Sequence, residues 1–297
     1  MTQRRGHGRY AYSALPCRPF YRWPGGKGLA VYFALNLETF SFGEGLGAKL
    51  VPAFGEPDAL NYAWRDYGNR VGAWRLRDAF DEFSLPLSVL VNTWLYDEAP
   101  ELIAAFRARG DEIVAHGRTN SERQGAMSEA EEAAMIAEAT ATIAVHEGRA
   151  PQGWLGPWIS QSPVTPDLLA EAGYLYGLDW AMDEQPVWLA TRGGGRLLAV
   201  PYPQELNDIP MIVARQASAG EFADAVIDAF EEMRAEAERA PLVMGVALHA
   251  YIVGYPHRLS HLKRALKHIC AARDQIWLTT SGAIAAHCFA LPPGTIV

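Results

Sequence analysis

Residues Leu29–Leu37 read LAVYFALNL, an almost unbroken apolar run in which Asn36 is the one strongly polar side chain. A strand with one face in water alternates apolar and polar residues. A continuous run instead fits a strand buried on both faces, as in a parallel sheet covered by helices. Similar segments recur at 87–91, 113–115, 174–178, 242–248 and 276–279. Between them lie stretches of helical periodicity at 70–83, 99–109, 128–147, 165–172, 218–239 and 258–273. Ser128 with Glu131 and Ser218 with Glu221 spell capping boxes. Thr165 before Pro166 reads as an N-cap and first-turn pair. Residues 190–200 read as a hairpin around Gly193–Gly195. Strand and helix thus alternate about seven times without a linker, which predicts parallel strands joined by crossover helices. The expected class is α/β, a closed or nearly closed TIM-like barrel.

Residues 1–28 are aromatic and turn-rich and are expected to form an ordered N-terminal arm; 29–297 are expected to form a single barrel domain. The arm needs a surface to cover, its own barrel or a neighbour's, which suggests a homo-oligomer. The loop after the first strand is long, with Gly43, Gly45, Pro52 and Pro57, and loops of that length are uncommon unless functional. The net charge is −8 and no basic stripe exists, which argues against a nucleic-acid partner. No apolar run approaches about 18 residues, so no membrane helix is expected. No apolar segment follows the arginines of MTQRRGHGRYAYSALPC, so no export signal is expected. Three scattered cysteines give no disulfide framework. A cytoplasmic protein is the expectation. No GxGxxG follows the first strand and no P-loop is present, so nothing points to a nucleotide cofactor.

In a barrel of this kind the chemistry sits at the C-terminal ends of the strands. Those positions hold Asn36, Glu38, Asn92, His116, Asn120, the stretch Trp154 to Trp158, Asp179, Asp183, Glu205, Asn207, Asp208 and His249. Glu38 can serve as a metal ligand or a general base, and His249 as a general acid. Each also has a structural reading: a salt-bridged loop acid with Arg65 or Arg70, and a core histidine bonded to a carbonyl. Trp158 can stack on a ring or pack under a loop.

The stretches YRWPGGKGLAVYFALNLE, YGNRVGAWRL, RGDEIVAHG, GWLGPWISQSPVTPDLLAEAGY, LDWAMDEQP, PYPQELND and LHAYIVGYPHRL, taken in order, resemble the polysaccharide deacetylase (NodB-homology) family. Within it they look most like its allantoinase-like and peptidoglycan-deacetylase-like cytoplasmic branch. The resemblance implies a distorted (β/α)7 barrel that hydrolyses N-acetyl, amide or ureide C–N bonds. It implies a divalent metal, such as zinc, held by an Asp and two His, with a second Asp as base and a late His as acid. Carried over, the base position is Asn36 and the metal positions are Glu38, His116 and Asn120. The acid is His249, and the third-motif arginine is Leu155. Asn36 cannot take up a proton at neutral pH. Asn120 offers zinc only a neutral amide oxygen, so a weakly bound or absent metal is expected.

Two readings of function follow. The first is a hydrolase of a non-peptide C–N bond in a small polar or sugar-like substrate. Glu38, His116 and His249 would be catalytic. In a metal-assisted form Glu38 and His116, with Asn120, would hold a divalent ion that polarises the carbonyl and activates water; in a metal-free form Glu38 would be the base, while His116 and the amides bind the developing oxyanion. Asn36, Asn120, Trp158, Asp179, Asp183, Gln185, Glu205 and Asn207 would bind the substrate. The second is a non-catalytic carbohydrate- or ureide-binding protein on the same barrel.

Overall fold

A computed structural model describes residues 6–47, 51–52, 55 and 57–297. Residues 1–5 of the expected arm, and residues 48–50, 53–54 and 56 of the long loop, lie outside the described residues. The strands are β1 (Leu29–Leu37), β2 (Ser88–Val91), β3 (Glu112–Ala115), β4 (Gly153–Trp154), β5 (Tyr176–Gly177), β6 (Val187–Ala190), β7 (Arg196–Ala199), β8 (Leu242–His249) and β9 (Trp277–Thr279). They form one sheet in the order β6-β7-β5-β4-β3-β2-β1-β8, with β9 also paired to β1. Every pairing is parallel except the β6–β7 hairpin. A single parallel bridge, Asn207 to Ala247, brings the chain beyond β7 against β8 and nearly closes the ring. The result is the expected distorted barrel. β1 is its central stave and is buried at all nine positions, as its unbroken apolar run predicts.

The helices are α1 (Ala59–Tyr67), α2 (Ala73–Glu82), α3 (Leu95–Glu98), α4 (Pro100–Arg109), α5 (Glu129–Glu147), α6 (Thr165–Glu171), α7 (Ala219–Glu236), α8 (Ala250–Val253), α9 (Pro256–Ala271) and α10 (Ser281–Ala290). Both predicted capping boxes are present. Thr165 is the first helical residue of α6 rather than its N-cap; its hydroxyl accepts from the Ser162 amide. Among the described residues no helix is long and apolar enough to cross a membrane.

The periodicity read at 70–83 belongs to a longer helical stretch in which a π-turn, Gly68–Gly72, joins α1 to α2. That turn seats α8. A Cβ on Gly72 would lie 2.1 Å from the carbonyl oxygen of Ala250. Alanine is worth about 1 kcal/mol more than glycine inside a helix. A backbone clash of this depth reverses the sign, since overpacking costs about 1–3 kcal/mol. Gly72→Ala is therefore expected to lower stability by about 2 kcal/mol in chemical denaturation; a stabilised variant would contradict this packing.

The described part of the N-terminal arm, residues 6–28, packs on its own barrel. Arg18 makes a bidentate pair with Asp183, Arg9 pairs with Asp167, and the Trp23 indole donates to Leu242 O at 2.9 Å. The arm therefore does not need a neighbouring molecule to cover it.

Candidate active site

The C-terminal ends of the strands surround a cavity of about 360 Å³. Asn36, Glu38, His116, Asn120, Trp158, Asn207 and His249 all line it, with Leu155, Tyr202, Gln204 and Tyr251 beside them. Parallel strands bring these residues together because they end on the same side of the barrel. Among the described lining residues there is no Lys or Arg.

Glu38 stands at the centre, 5% exposed. Its Oε2 accepts the Tyr251 hydroxyl at 2.7 Å. Its Oε1 lies 3.5 Å from His116 Nε2 and 3.6 Å from His249 Nε2. Both distances exceed an ordinary hydrogen bond, and a small group can bridge them. Burial pushes the Glu38 carboxyl up, but His249 above all, with the hydrogen bond from Tyr251, offsets it, so the group is held below its ordinary value.

His249 ends β8. Its Nδ1 donates to Asp208 Oδ1 at 2.6 Å, and its backbone amide donates to Asp208 Oδ2 at 2.7 Å. Asp208 is fully buried. Burial disfavours the imidazolium, but Asp208 and Glu38 outweigh it, so the His249 pKa lies above its ordinary value. The arrangement is a histidine oriented by one carboxylate and aimed at another.

His116, just after β3, differs. Its Nδ1 lies 2.7 Å from Leu155 O, which can only accept, so Nδ1 carries the hydrogen. Nε2 is buried and has no hydrogen-bond partner among the described residues. In the neutral ring that atom is an acceptor, so neutral His116 cannot donate to an oxyanion as the sequence suggested.

The amides are held from behind. Asn36 donates to Tyr202 Oη and Leu248 O, both at 3.1 Å. Asn92 ties the strand ends together by accepting from Thr39 N and donating to His116 O and to Asn120 Oδ1. Asn120 Oδ1 is thus engaged, and its NH₂ remains to donate. Asn207 Oδ1 likewise accepts from Ile209 N at 3.1 Å. Trp158 is anchored by its indole donating to Asn120 O at 2.8 Å. Trp158 and Ile159 both take positive φ, 66° and 52°, at the cleft rim. Non-glycine residues are strained there, and such strain gathers at functional sites.

Four expected substrate contacts are not in the cleft. Asp183 and Gln185 are turned to the arm, where both accept from Arg18; Gln185 also donates to Pro241 O at 2.7 Å. Glu205 is exposed and paired with Arg215. Along 202–205 the alternation that puts Tyr202 and Gln204 on the cleft turns Glu205 away. Asp179 lies behind the wall, its Oδ1 accepting from Gly156 N at 2.7 Å. Burial pushes its carboxyl up to about 7. Sequence reasoning placed Asp208 at a strand end without a role and missed Tyr202, Gln204 and Tyr251. The signal for Tyr251 is its place two residues after His249.

A divalent metal is the cofactor that the sequence resemblance implies, and the residues present do not fit it. Asn120 replaces an expected histidine, and its oxygen is already bonded to Asn92. Among the described residues no group of three or more His, Cys, Asp or Glu is arranged to hold a metal ion.

Comparison with known proteins supports the resemblance. No protein-family model matches the chain. A Schizosaccharomyces pombe protein provisionally named a polysaccharide deacetylase is 26% identical, the match covering 89% of this chain and 91% of that one. A Pseudomonas aeruginosa PAO1 structure of the same provisional name superposes with a TM-score of 0.82 at 28% identity, covering 91% of this chain and 94% of that one. The structure of Puue allantoinase superposes with a TM-score of 0.84 at 28% identity, covering 99% of both chains.

Proposed function

We propose that this chain, similar over nearly all its length to polysaccharide deacetylases and to an allantoinase, is a hydrolase of C–N bonds other than peptide bonds. Its substrate is a small polar amide, ureide or N-acyl compound. One observation carries the mechanism: an ionised carboxylate, Glu38, faces two imidazole nitrogens at 3.5 and 3.6 Å, one ring backed by Asp208.

Water donates to Glu38 Oε1 and His116 Nε2 from one side of the pair, whose 3.5 Å separation leaves no room on the line between them. Glu38 takes a proton as the water oxygen bonds to the carbonyl carbon. The NH₂ groups of Asn120 and Asn207 donate to the carbonyl oxygen as it gains charge. His249 delivers its Nε2 proton to the departing nitrogen as the C–N bond breaks. Glu38 returns its proton to His249, 3.6 Å away, and the site is reset. Water is thereby divided between the new acid and the new amine. Among the described lining residues there is no Lys or Arg, so none of them offers a fixed cation to a carboxylate or phosphate of the substrate. Trp158 and Leu155 offer it an apolar wall, and Leu155 stands where the resemblance expects arginine.

No step needs a metal, and the donor set does not suit one. Turnover is expected to persist after exhaustive chelation, with metal well below one equivalent by elemental analysis. Loss of turnover on chelation, restored by zinc, would contradict this.

The test of function is product analysis on a panel of ureides, including allantoin, and N-acetyl sugars. Hydrolysis of at least one is expected. The non-catalytic reading instead requires tight binding with no product from any. It is the weaker reading, because the site keeps a base, an acid and the carboxylate that orients the acid.

A further inference from the structure

Both histidines of the cleft have a carboxylate behind them. His249 meets Asp208 directly. His116 does not touch a second carboxylate beyond Glu38, but its Nδ1–H donates to the carbonyl oxygen of Leu155 at 2.7 Å. The other end of that same peptide group is the amide of Gly156, which donates to Asp179 Oδ1 at 2.7 Å. In a trans peptide the C=O and N–H point to opposite sides of one rigid plane. His116, the Leu155–Gly156 peptide and Asp179 are therefore hydrogen-bonded in series. We propose that Asp179 is a positioning residue for His116, acting through the Leu155–Gly156 peptide group.

Glycine at 156 is compatible with this role. Its backbone angles, φ −66° and ψ 139°, are open to any residue, so its backbone freedom is not needed. Space is. A Cβ there would lie 2.8 Å from Asp179 Oδ1 and 2.6 Å from Ser160 O. Asp179 makes no contact with the cleft that would give it another task, and its Oδ2 is shielded from solvent without a hydrogen-bond partner among the described residues. An acceptor on the N–H side polarises the peptide and makes its carbonyl a better acceptor. That holds the hydrogen of His116 on Nδ1 and keeps the Nε2 lone pair facing Glu38. Were the ring to take the other tautomer, Nε2 would become a donor and could no longer share a water with Glu38 as a second acceptor.

The test reads the tautomer directly, by nitrogen-15 spectra of the imidazoles in the wild type, Asp179→Asn and Asp179→Ala, with His116→Gln to assign the signal. In the wild type His116 is expected to show one form, protonated on Nδ1. Asp179→Asn retains an oxygen that accepts from Gly156 and should keep that form. Asp179→Ala should give mixed tautomers, with kcat lower on the order of tenfold and KM unchanged, and Asp179→Asn should restore most of kcat. A His116 proton on Nε2 in the wild type overturns the proposal, as does a folded Asp179→Ala protein with the wild-type tautomer. Equal loss of the tautomer in both variants also overturns it. The kinetic arm rests on the hydrolase reading above. The spectra need no substrate, so failure of that reading and failure of this proposal are told apart.

Discussion

Glu38→Gln should lower kcat on the order of a thousandfold while leaving the protein folded and KM within about twofold. The amide keeps the size of the carboxylate and can still accept the Tyr251 hydroxyl, which lies 2.7 Å from Oε2. It cannot take a proton from water. The remaining rate would come from orientation by Asn120, Asn207 and His249. The variant also removes one of the two carboxylates that favour the His249 imidazolium, so the general acid weakens with the base. Steady-state kinetics beside a thermal melt checks the prediction. A loss below tenfold in a folded protein would remove Glu38 from the chemistry.

The second large effect concerns Asp208. His249 must be protonated to act as acid, and Glu38 must be ionised to act as base. Asp208 and Glu38 raise the His249 pKa above the ordinary 6.5, so activity should fall only as pH rises through that higher value. The Glu38 pKa is lowered below the ordinary 4.5, so the acid limb should appear only as pH falls through that lower value. The two limbs belong to a coupled pair and report macroscopic values. Asp208→Asn removes the leading favourable charge and should move the alkaline limb of kcat/KM to lower pH. It should also cost on the order of a hundredfold in kcat, because His249 loses its orienting acceptor as well as the charge. The profile of the variant against the wild type is the measurement. An alkaline limb that stays in place would assign it to some group other than His249.

Much of this site was legible in the sequence because parallel strands put their C-terminal ends in one place. Glu38 and His116 directly follow β1 and β3, and His249 is the last residue of β8, so the strand positions alone brought them together. The same logic failed where the chain leaves the barrel before reaching the polar residue. Asp183 and Gln185 lie beyond β5 in a segment that turns to meet Arg18, and nothing in their spacing reveals a partner 165 and 167 residues away. Glu205 failed by one residue of register: an extended segment presents alternate side chains, and Gln204 faces the cleft instead. Tyr251 was hidden because its reach to Glu38 depends on a one-turn helix, α8, seated on the glycines of the Gly68–Gly72 turn. Asp179 stands at a strand end, yet it does not line the cleft. Its position after a strand is plain in the sequence, but only the coordinates put the Gly156 amide between it and the cleft.

The central claim is that Glu38 and His249 hydrolyse a C–N bond with water alone. It is tested most directly by mass spectrometry of the product formed in oxygen-18 water by chelator-treated protein from a ureide or N-acyl substrate. The account predicts one heavy oxygen in the new acid group at the untreated rate. Product that forms only after a divalent metal is restored, or no product from the wild type on any such substrate, would contradict it.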